Sequence, residues 1–489
     1  MAHSTSQQSC PPTPRRRQFL QSCSALALVS GRLSAQDAST ATTGLVTLTP
    51  RVRPEITTRV VYSMQLEGKL STPSASGLSE FPLKAQGNFE FEQRQYPTTS
   101  DSLLSRRASR RYSLARTTTT VGRDPERRTT LPPQSSLIQL YGKDTQLVQL
   151  SPEVRLTRPQ VDLLQFACDP LAATGLLPTR QLSGSGESWN VDPWVFAMLT
   201  GVDAFITQSV TCTLRQLTPA EALIDFQCTG QGAVAGAATE ITLRGTLTFG
   251  REAGLIRSLS ATMQEKRSAG AVNAGLNVNA TIEWSQEVTT PATTLPDEIP
   301  ATFPEDRQLQ LTLVTPWRLL LLHNRNWHVF HETADLVILR MLDNGSLIAQ
   351  CNLAPAAQLS AGKFTSEEEF VADVERRISD RQGQIVSSTV ESDVGGWRIH
   401  HVQATSIIKP PQNSSLPAAQ SPSASSNPPA PTDQTIFWDY YLCSARSGEQ
   451  YSLLFSHAND DTARFQGAPE QLLKTMTLRS TRPRPALPR

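Results

Sequence analysis

Between about Arg53 and Val288, apolar and polar residues alternate with the two-residue period of strands that have one dry and one wet face. Tyr62, Met64, Leu66 and Leu70 alternate with Ser63, Gln65, Glu67 and Lys69, and Phe81, Leu83, Ala85, Phe89 and Phe91 with Lys84, Gln86, Asn88 and Glu90. The same beat returns in Ile241, Leu243, Leu247 and Phe249, and in Leu276, Val278, Ala280, Ile282 and Trp284. Half of every strand is polar, which predicts a large antiparallel sheet with one face covered and the other solvated. Helical patterns supply the cover: Arg158 to Cys168, with Val161 and Leu164 inward, and Asp192 to Leu199, where Asp192 precedes Pro193.

After residue 288 the pattern changes. Residues 289–306 carry Thr, Pro and acidic side chains without periodicity and read as a linker to a second domain over 307–478. There, Leu336 to Leu342 and Leu347 to Leu353 flank Asp343-Asn344-Gly345-Ser346, a hairpin signal because Asn and Gly tolerate positive φ. Thr365 to Arg381 reads as an amphipathic helix, with Ser366 and Glu369 as a capping box and Phe370, Val374 and Ile378 on one face. Trp397 to Ile408, Ile436 to Ser444 and Tyr451 to Ser456 read as strands, and Thr462 to Met476 as a closing helix irregular at Gly467 and Pro469. Residues 409–434 are dominated by Pro, Ser, Ala and Asn, a composition expected to stay disordered because it buries too little apolar surface, and 479–489 form a loose basic tail.

Composition narrows the function classes. A chain of 489 residues with a formal charge of +1 has room for two domains and no global field that would favour nucleic acid. No stretch after the leader has the continuous apolar length of a membrane helix. The leader itself is informative: Arg16-Arg17-Gln18-Phe19-Leu20 precedes the short apolar run Ala25 to Val29, the order of a twin-arginine signal peptide over residues 1–35 with cleavage after Ala35. The expected destination is the periplasm or the exterior of a bacterium.

Five cysteines follow that cleavage point, and none forms a Cys-x-x-Cys pair. A turn over Thr218 to Glu221 centred near Ala220 sets Cys212 opposite Cys228, with Cβ atoms roughly 4.5 to 5.5 Å apart, near but above the usual disulfide separation, so the pair is expected in contact either as a disulfide or as two buried thiols. The one concentrated charge feature is a run of arginines; Arg106, Arg107, Arg110 and Arg111 head it and form the candidate anion-binding face, against the alternative of a solvated strand edge. His323, His328 and His331 cluster near Glu332, yet His328 and His331 are three apart in a segment that reads as extended and so point to opposite faces, and no metal site is assigned. Gly230, Gly232 and Gly236 lack the helix that a phosphate loop requires, and Ser185 lacks the context of a nucleophile elbow. No cofactor motif is present.

The second domain, from "WRLLLLHNRNWHVF" through the hairpin, the capped helix, further strands and the closing helix, resembles the α/β/α sandwich of the Mog1 and PsbP proteins. The first, with "LLPTRQLSGSGESWNV" leading into strands, is similar to uncharacterised exported bacterial proteins and more distantly to half-barrel carriers of the LolA type. The implied class is α+β: a β-rich antiparallel sheet domain with a helical cover, then an α/β/α sandwich on an antiparallel sheet. Members of the Mog1 and PsbP group mostly bind partners, so the resemblance implies an exported, non-enzymatic binding or interaction protein. Its partner would be a protein, a cell-envelope polymer or an apolar ligand. Two alternatives stand beside it: a carrier holding a lipid or other apolar ligand under the first domain's cover, and a hydrolase with a dispersed active site.

Overall fold

The structure, a computed structural model, describes residues 45–74, 77–97, 106–143, 145–289, 295–380, 382–408 and 434–479. The expected twin-arginine leader, the Pro- and Ser-rich stretch as far as residue 433 and the tail from residue 480 lie outside the described residues. The chain divides into two compact units between Thr312 and Leu313.

The first unit is one 12-stranded antiparallel sheet. Its strands are β1 (Thr57–Ser74), β2 (Gly77–Tyr96), β3 (Arg107–Val121), β4 (Arg127–Thr130), β5 (Leu137–Lys143), β6 (Gln146–Leu150), β7 (Ser188–Asn190), β8 (Ala204–Leu217), β9 (Glu221–Val234), β10 (Ala237–Gly250), β11 (Leu255–Arg267) and β12 (Gly275–Thr289). They lie in the order β6-β5-β3-β2-β1-β12-β11-β10-β9-β8-β7, with β4 beside β3. Two meanders are thus joined where β1 pairs with β12, from Thr57 opposite Thr289 to Ser71 opposite Gly275. The inward positions of the alternating pattern, among them Tyr62, Phe89, Leu243, Leu247 and Ile282, form one buried apolar cluster. Most outward positions are polar, with Val61, Leu78, Ile206 and Val288 as exposed apolar exceptions. No helix among the described residues is long and apolar enough to cross a membrane.

The inner face is filled by the segment between β6 and β8. It contains α1 (Arg158–Leu164), α2 (Pro170–Ala173) and α3 (Pro193–Thr200), helices too short to be stable without the sheet beneath them. Leu163, Leu164, Phe166, Leu171, Val195 and Phe196 join the sheet's own cluster. Polar tethers fix the middle of this cover: Tyr62 Oη donates to the Ala167 carbonyl at 2.8 Å and Trp284 Nε1 to the Cys168 carbonyl at 2.8 Å. Gly230 makes room for it, since a Cβ there would lie 2.4 Å from Cζ of Phe196. Residues 295–312 belong to this unit: Arg94 reaches the Asp297 carboxylate at 2.6 Å, and Ile299 is buried with Tyr96, Tyr141 and Leu150.

The second unit corrects the expected α/β/α sandwich. Strands hold 56% of the described residues and helices 14%, in three sheets overall. One sheet has seven antiparallel strands, β15 (Trp327–Glu332), β16 (Val337–Asp343), β17 (Ser346–Pro355), β18 (Gln384–Val394), β19 (Trp397–Ile408), β20 (Gln434–Ala445) and β21 (Gln450–Ala458), ordered β15-β16-β17-β21-β20-β19-β18. The other has three, β13 (Leu311–Val314), β14 (Leu319–His323) and β22 (Thr477–Leu478). After the short α4 (Asp306–Leu309), the only helix longer than two turns among the described residues of this unit is α5 (Glu367–Ser379), whose Phe370, Val374 and Ile378 pack on Val402, Ala404, Tyr440 and Leu442. Its capping box forms as the spacing requires, Ser366 N to Glu369 Oε2 and Glu369 N to Ser366 Oγ both at 3.1 Å. On the opposite face the closing helix is broken at Gly467 (φ 79°) into α6 (Thr462–Phe465) and α7 (Ala468–Leu473), so that layer is made of two short helical pieces and a small sheet. The class is β-rich because glycine and proline interrupt the helix that a sandwich needs.

Candidate functional site

A trough of about 670 Å³ opens on the outer, polar face of the first unit across β8 to β12. Ladder register arranges its outward side chains into two cross-strand rows. One runs Thr207, Gln231, Glu240, Lys266, Asn277, each directly opposite the next on the neighbouring strand. The other, two residues further along each strand, runs Ser209, Thr229, Thr242, Gln264, Asn279. Alternation puts these hydroxyls, amides and one pair of opposite charges outward, while the residues between the rows, Gln208, Gly230, Ile241, Glu265 and Val278, stand on the inner side. Gln208, between Thr207 and Ser209 and opposite Gly230, stands on the inner side, where its buried Oε1 has no hydrogen-bond partner among the described residues. Nothing in the sequence reading singled out these residues; their signal was the polar half of the alternation, and only the register shows which of them stand side by side.

The arginine run does not form a common anion-binding face. Arg110 is fully buried. Its Nη1 and Nη2 donate to Asp169 at 2.7 and 2.6 Å, its Nε to Gln93 at 2.8 Å, and its guanidinium lies 4.6 Å from the centre of the Phe91 ring. Burial alone would lower the Arg110 pKa, but the Asp169 carboxylate and Tyr112 hold it above its ordinary value. Asp169 also accepts from Leu171 N at 2.9 Å, so this ion pair pins the start of α2 to the sheet. Arg106 donates to the Leu171 carbonyl at 3.0 Å and to Thr174 Oγ1, and burial pulls its pKa down to about 10. Arg107 donates to the carbonyls of Ile299, Pro300 and Pro97. Arg111 is half-buried on β3, opposite Glu92 and Leu137. Arg106, Arg107 and Arg110 are thus spent on holding the cover and the 295–300 segment.

The expected Cys212–Cys228 pairing is corrected by register. Thr218 N bonds the Glu221 carbonyl at 2.8 Å, which centres the turn between Pro219 and Ala220, and a bulge at Arg215 adds a second slip. Cys212 therefore faces Phe226 and Cys228 faces Val210. A slip of two preserves the faces, so both cysteines remain buried, as free thiols. Burial pushes the Cys228 thiol up to about 12.

In the second unit, a bulge at Phe330 changes the histidine geometry. His328 pairs with Arg340 and His331 with Ile338, positions two apart on β16, so the two histidines share a face after all. Among the described residues no three metal-binding side chains converge. The sequence reading missed another cluster. His401 Nε2 lies 2.8 Å from Asp439 Oδ1, which also accepts from Gln403 Nε2 at 3.2 Å, while Asp439 Oδ2 lies 3.9 Å from His457 Nε2. The His401 ring stacks on Tyr441 at 4.1 Å, and His457 sits between Phe437 and Phe465 with Nδ1 2.9 Å from the Ala458 carbonyl. Such a pair can hold and pass a proton, but its hydrogen bonds close on one another within the sheet. Its signal was the appearance of polar residues at the inward positions of β19, β20 and β21, after Ile399, before Tyr441 and after Phe455.

No family model matches the chain, and no curated protein does. Among solved structures it overlaps lipovitellin, in a structure of its lipid–protein interactions, at 11% identity and a TM-score of 0.28 over 50% of this chain and 27% of that one. DynF from the dynemicin pathway of Micromonospora chersina gives 10% identity and a TM-score of 0.13 over 52% and 92%. The translocator domain of the autotransporter NalP from Neisseria meningitidis gives 8% and 0.11 over 82% and 88%. TM-scores of this size do not define a common fold.

Proposed function

We propose that the protein is an exported binding protein that acts without catalysis and that the trough across β8 to β12 is its ligand surface. The observation that carries this reading is the pair of five-residue polar rows, which present hydrogen-bonding groups on strands whose backbones are already engaged in ladders. Such a platform is rigid before a ligand arrives, so little ordering entropy opposes binding. The inner face is a less favourable place for an apolar ligand because the cover's own side chains fill it. Export rests on the Arg16-Arg17 leader.

A photo-crosslinking residue at Thr242, inside the trough, is expected to give an adduct in the cell envelope, whereas the same residue at Thr248 on the same strand is not. Equal labelling at both positions would remove the trough from consideration. Replacing Arg16 and Arg17 by lysine is expected to leave precursor in the cytoplasm, and undiminished export would overturn the localisation.

A further inference from the structure

We infer that the trough takes a neutral, linear polyhydroxyl chain, a glycan lying across the strands. This inference rests on the reading of the trough as the ligand surface and adds the chemical class of the occupant.

Three features of the lining select that class. Its charges cancel: Glu240 and Lys266 stand directly opposite each other in the ladder, and the buried Glu265 is bonded by Arg267, so no uncompensated field is offered to an ionic polymer. None of the lining residues is aromatic, which leaves a planar base or ring system without a stacking surface. What remains is hydroxyls, which donate and accept, and carboxamides, which do both from fixed ends. A sugar hydroxyl has the same dual capacity, so one side-chain row can satisfy it in either orientation.

The spacing agrees. Neighbouring strands are about 4.8 Å apart, so each row covers roughly 19 Å in four steps, and the two rows are separated by roughly 6.8 Å along the strands. This is a ladder of hydrogen-bonding groups whose step is close to the repeat of an extended pyranose chain and whose width suits a single ring. A peptide fits less well. Its recognition by a sheet works through the free backbone of an edge strand, and β9 to β12 are interior strands whose backbone groups are paired on both sides.

The test is calorimetric titration of the full chain with chitohexaose, laminarihexaose and, as the anionic probe, polygalacturonate. At least one neutral hexasaccharide is expected to bind. The Thr229→Val/Gln264→Leu variant is expected to lose at least tenfold in affinity, while Thr246→Val, on the same face outside the trough, leaves it unchanged; unaltered melting temperatures show that both variants fold. The Thr242 crosslinked adduct should be released by glycosidases. Binding of polygalacturonate alone, or an adduct that resists glycosidases and yields to protease, overturns the glycan and leaves the trough standing as a site for something else. No adduct at Thr242 together with no binding of any probe overturns both.

Discussion

Asp169 in the first unit and Asp439 in the second are both buried carboxylates, and the two units satisfy them by different chemistry. Asp169 meets a guanidinium that stays charged at any ordinary pH, through two parallel hydrogen bonds in the middle of an apolar face. Asp439 meets one imidazole directly and a second at 3.9 Å, with the Gln403 amide completing one oxygen. The difference follows from position. The Arg110 pair lies under the cover beside the Tyr62, Trp284 and Arg106 tethers and is closed from water, whereas the His401 cluster sits at the end of a core face where one ring is still partly open to water. A fixed ion pair makes the first attachment all-or-none; a cluster of neutral and ionisable groups yields by degrees.

The largest effect is expected at Arg110. Arg110→Met leaves the Asp169 charge buried and unpaired and should cost about 3–5 kcal/mol in urea unfolding of the first unit. The double variant Arg110→Met/Asp169→Leu should recover most of that, because replacing a whole buried pair by apolar side chains is often neutral. A double variant as unstable as the single one would show that the tether, not the charge balance, matters. Asp439→Ala should cost less, about 1.5–3 kcal/mol by the same measurement, since it removes hydrogen bonds to a charged group but leaves His401 able to turn to water. A loss equal to that of Arg110→Met would erase the contrast between the units.

A smaller effect separates the units by pH. His400 lies buried beneath the start of α5, its ring 5.9 Å from that of Phe370. Burial first, and the Arg398 charge second, lower its pKa from the ordinary 6.5, against the opposing pull of the Thr365 backbone, Glu367 and Glu368. The folded state therefore prefers the neutral ring. The contribution to stability is complete above the ordinary value and is lost as the pH falls through the depressed one. Unfolding midpoints of the second unit should drop on acidification below about 6.5, and His400→Gln should flatten that slope without altering the first unit. An unchanged slope would place the acid sensitivity elsewhere. The smallest effect is predicted for the trough: Thr242→Val and Gln264→Leu should each change stability by no more than about 0.5 kcal/mol, because they stand on the solvated face. A larger loss would mean that the rows hold the sheet together rather than await a ligand.

Much of the first unit was legible because a period of two is a local property. Tyr62 to Leu70 and Ile241 to Phe249 declare their dry faces without reference to any partner, and the capping box at Ser366 and Glu369 is likewise complete within four residues. Asn344 and Gly345 adopt φ of 48° and 78°, as the hairpin signal demands. The arginine run was visible as a charge but not as a set of tethers, since Asp169, Thr174 and Ile299 are distant in sequence. The expected sandwich failed for a related reason: a helical pattern across Gly467 and Pro469 shows which side is apolar, not whether the backbone can continue.

What the sequence determined by itself is therefore the set of faces: which side chains are buried, where turns fall to within a residue, and where α5 begins. Tertiary structure decided who stands beside whom. A bulge at Arg215 and a turn centred half a residue early moved Cys212 from Cys228 to Phe226 without changing either face, and a bulge at Phe330 brought His328 and His331 to the same side. Bulges and slips cost little locally and leave no mark in the alternation that surrounds them, so register belongs to the assembled sheet. The polar rows of the trough and the His401–Asp439–His457 cluster exist only through that register, because each joins residues from strands whose order in space the chain acquires on folding.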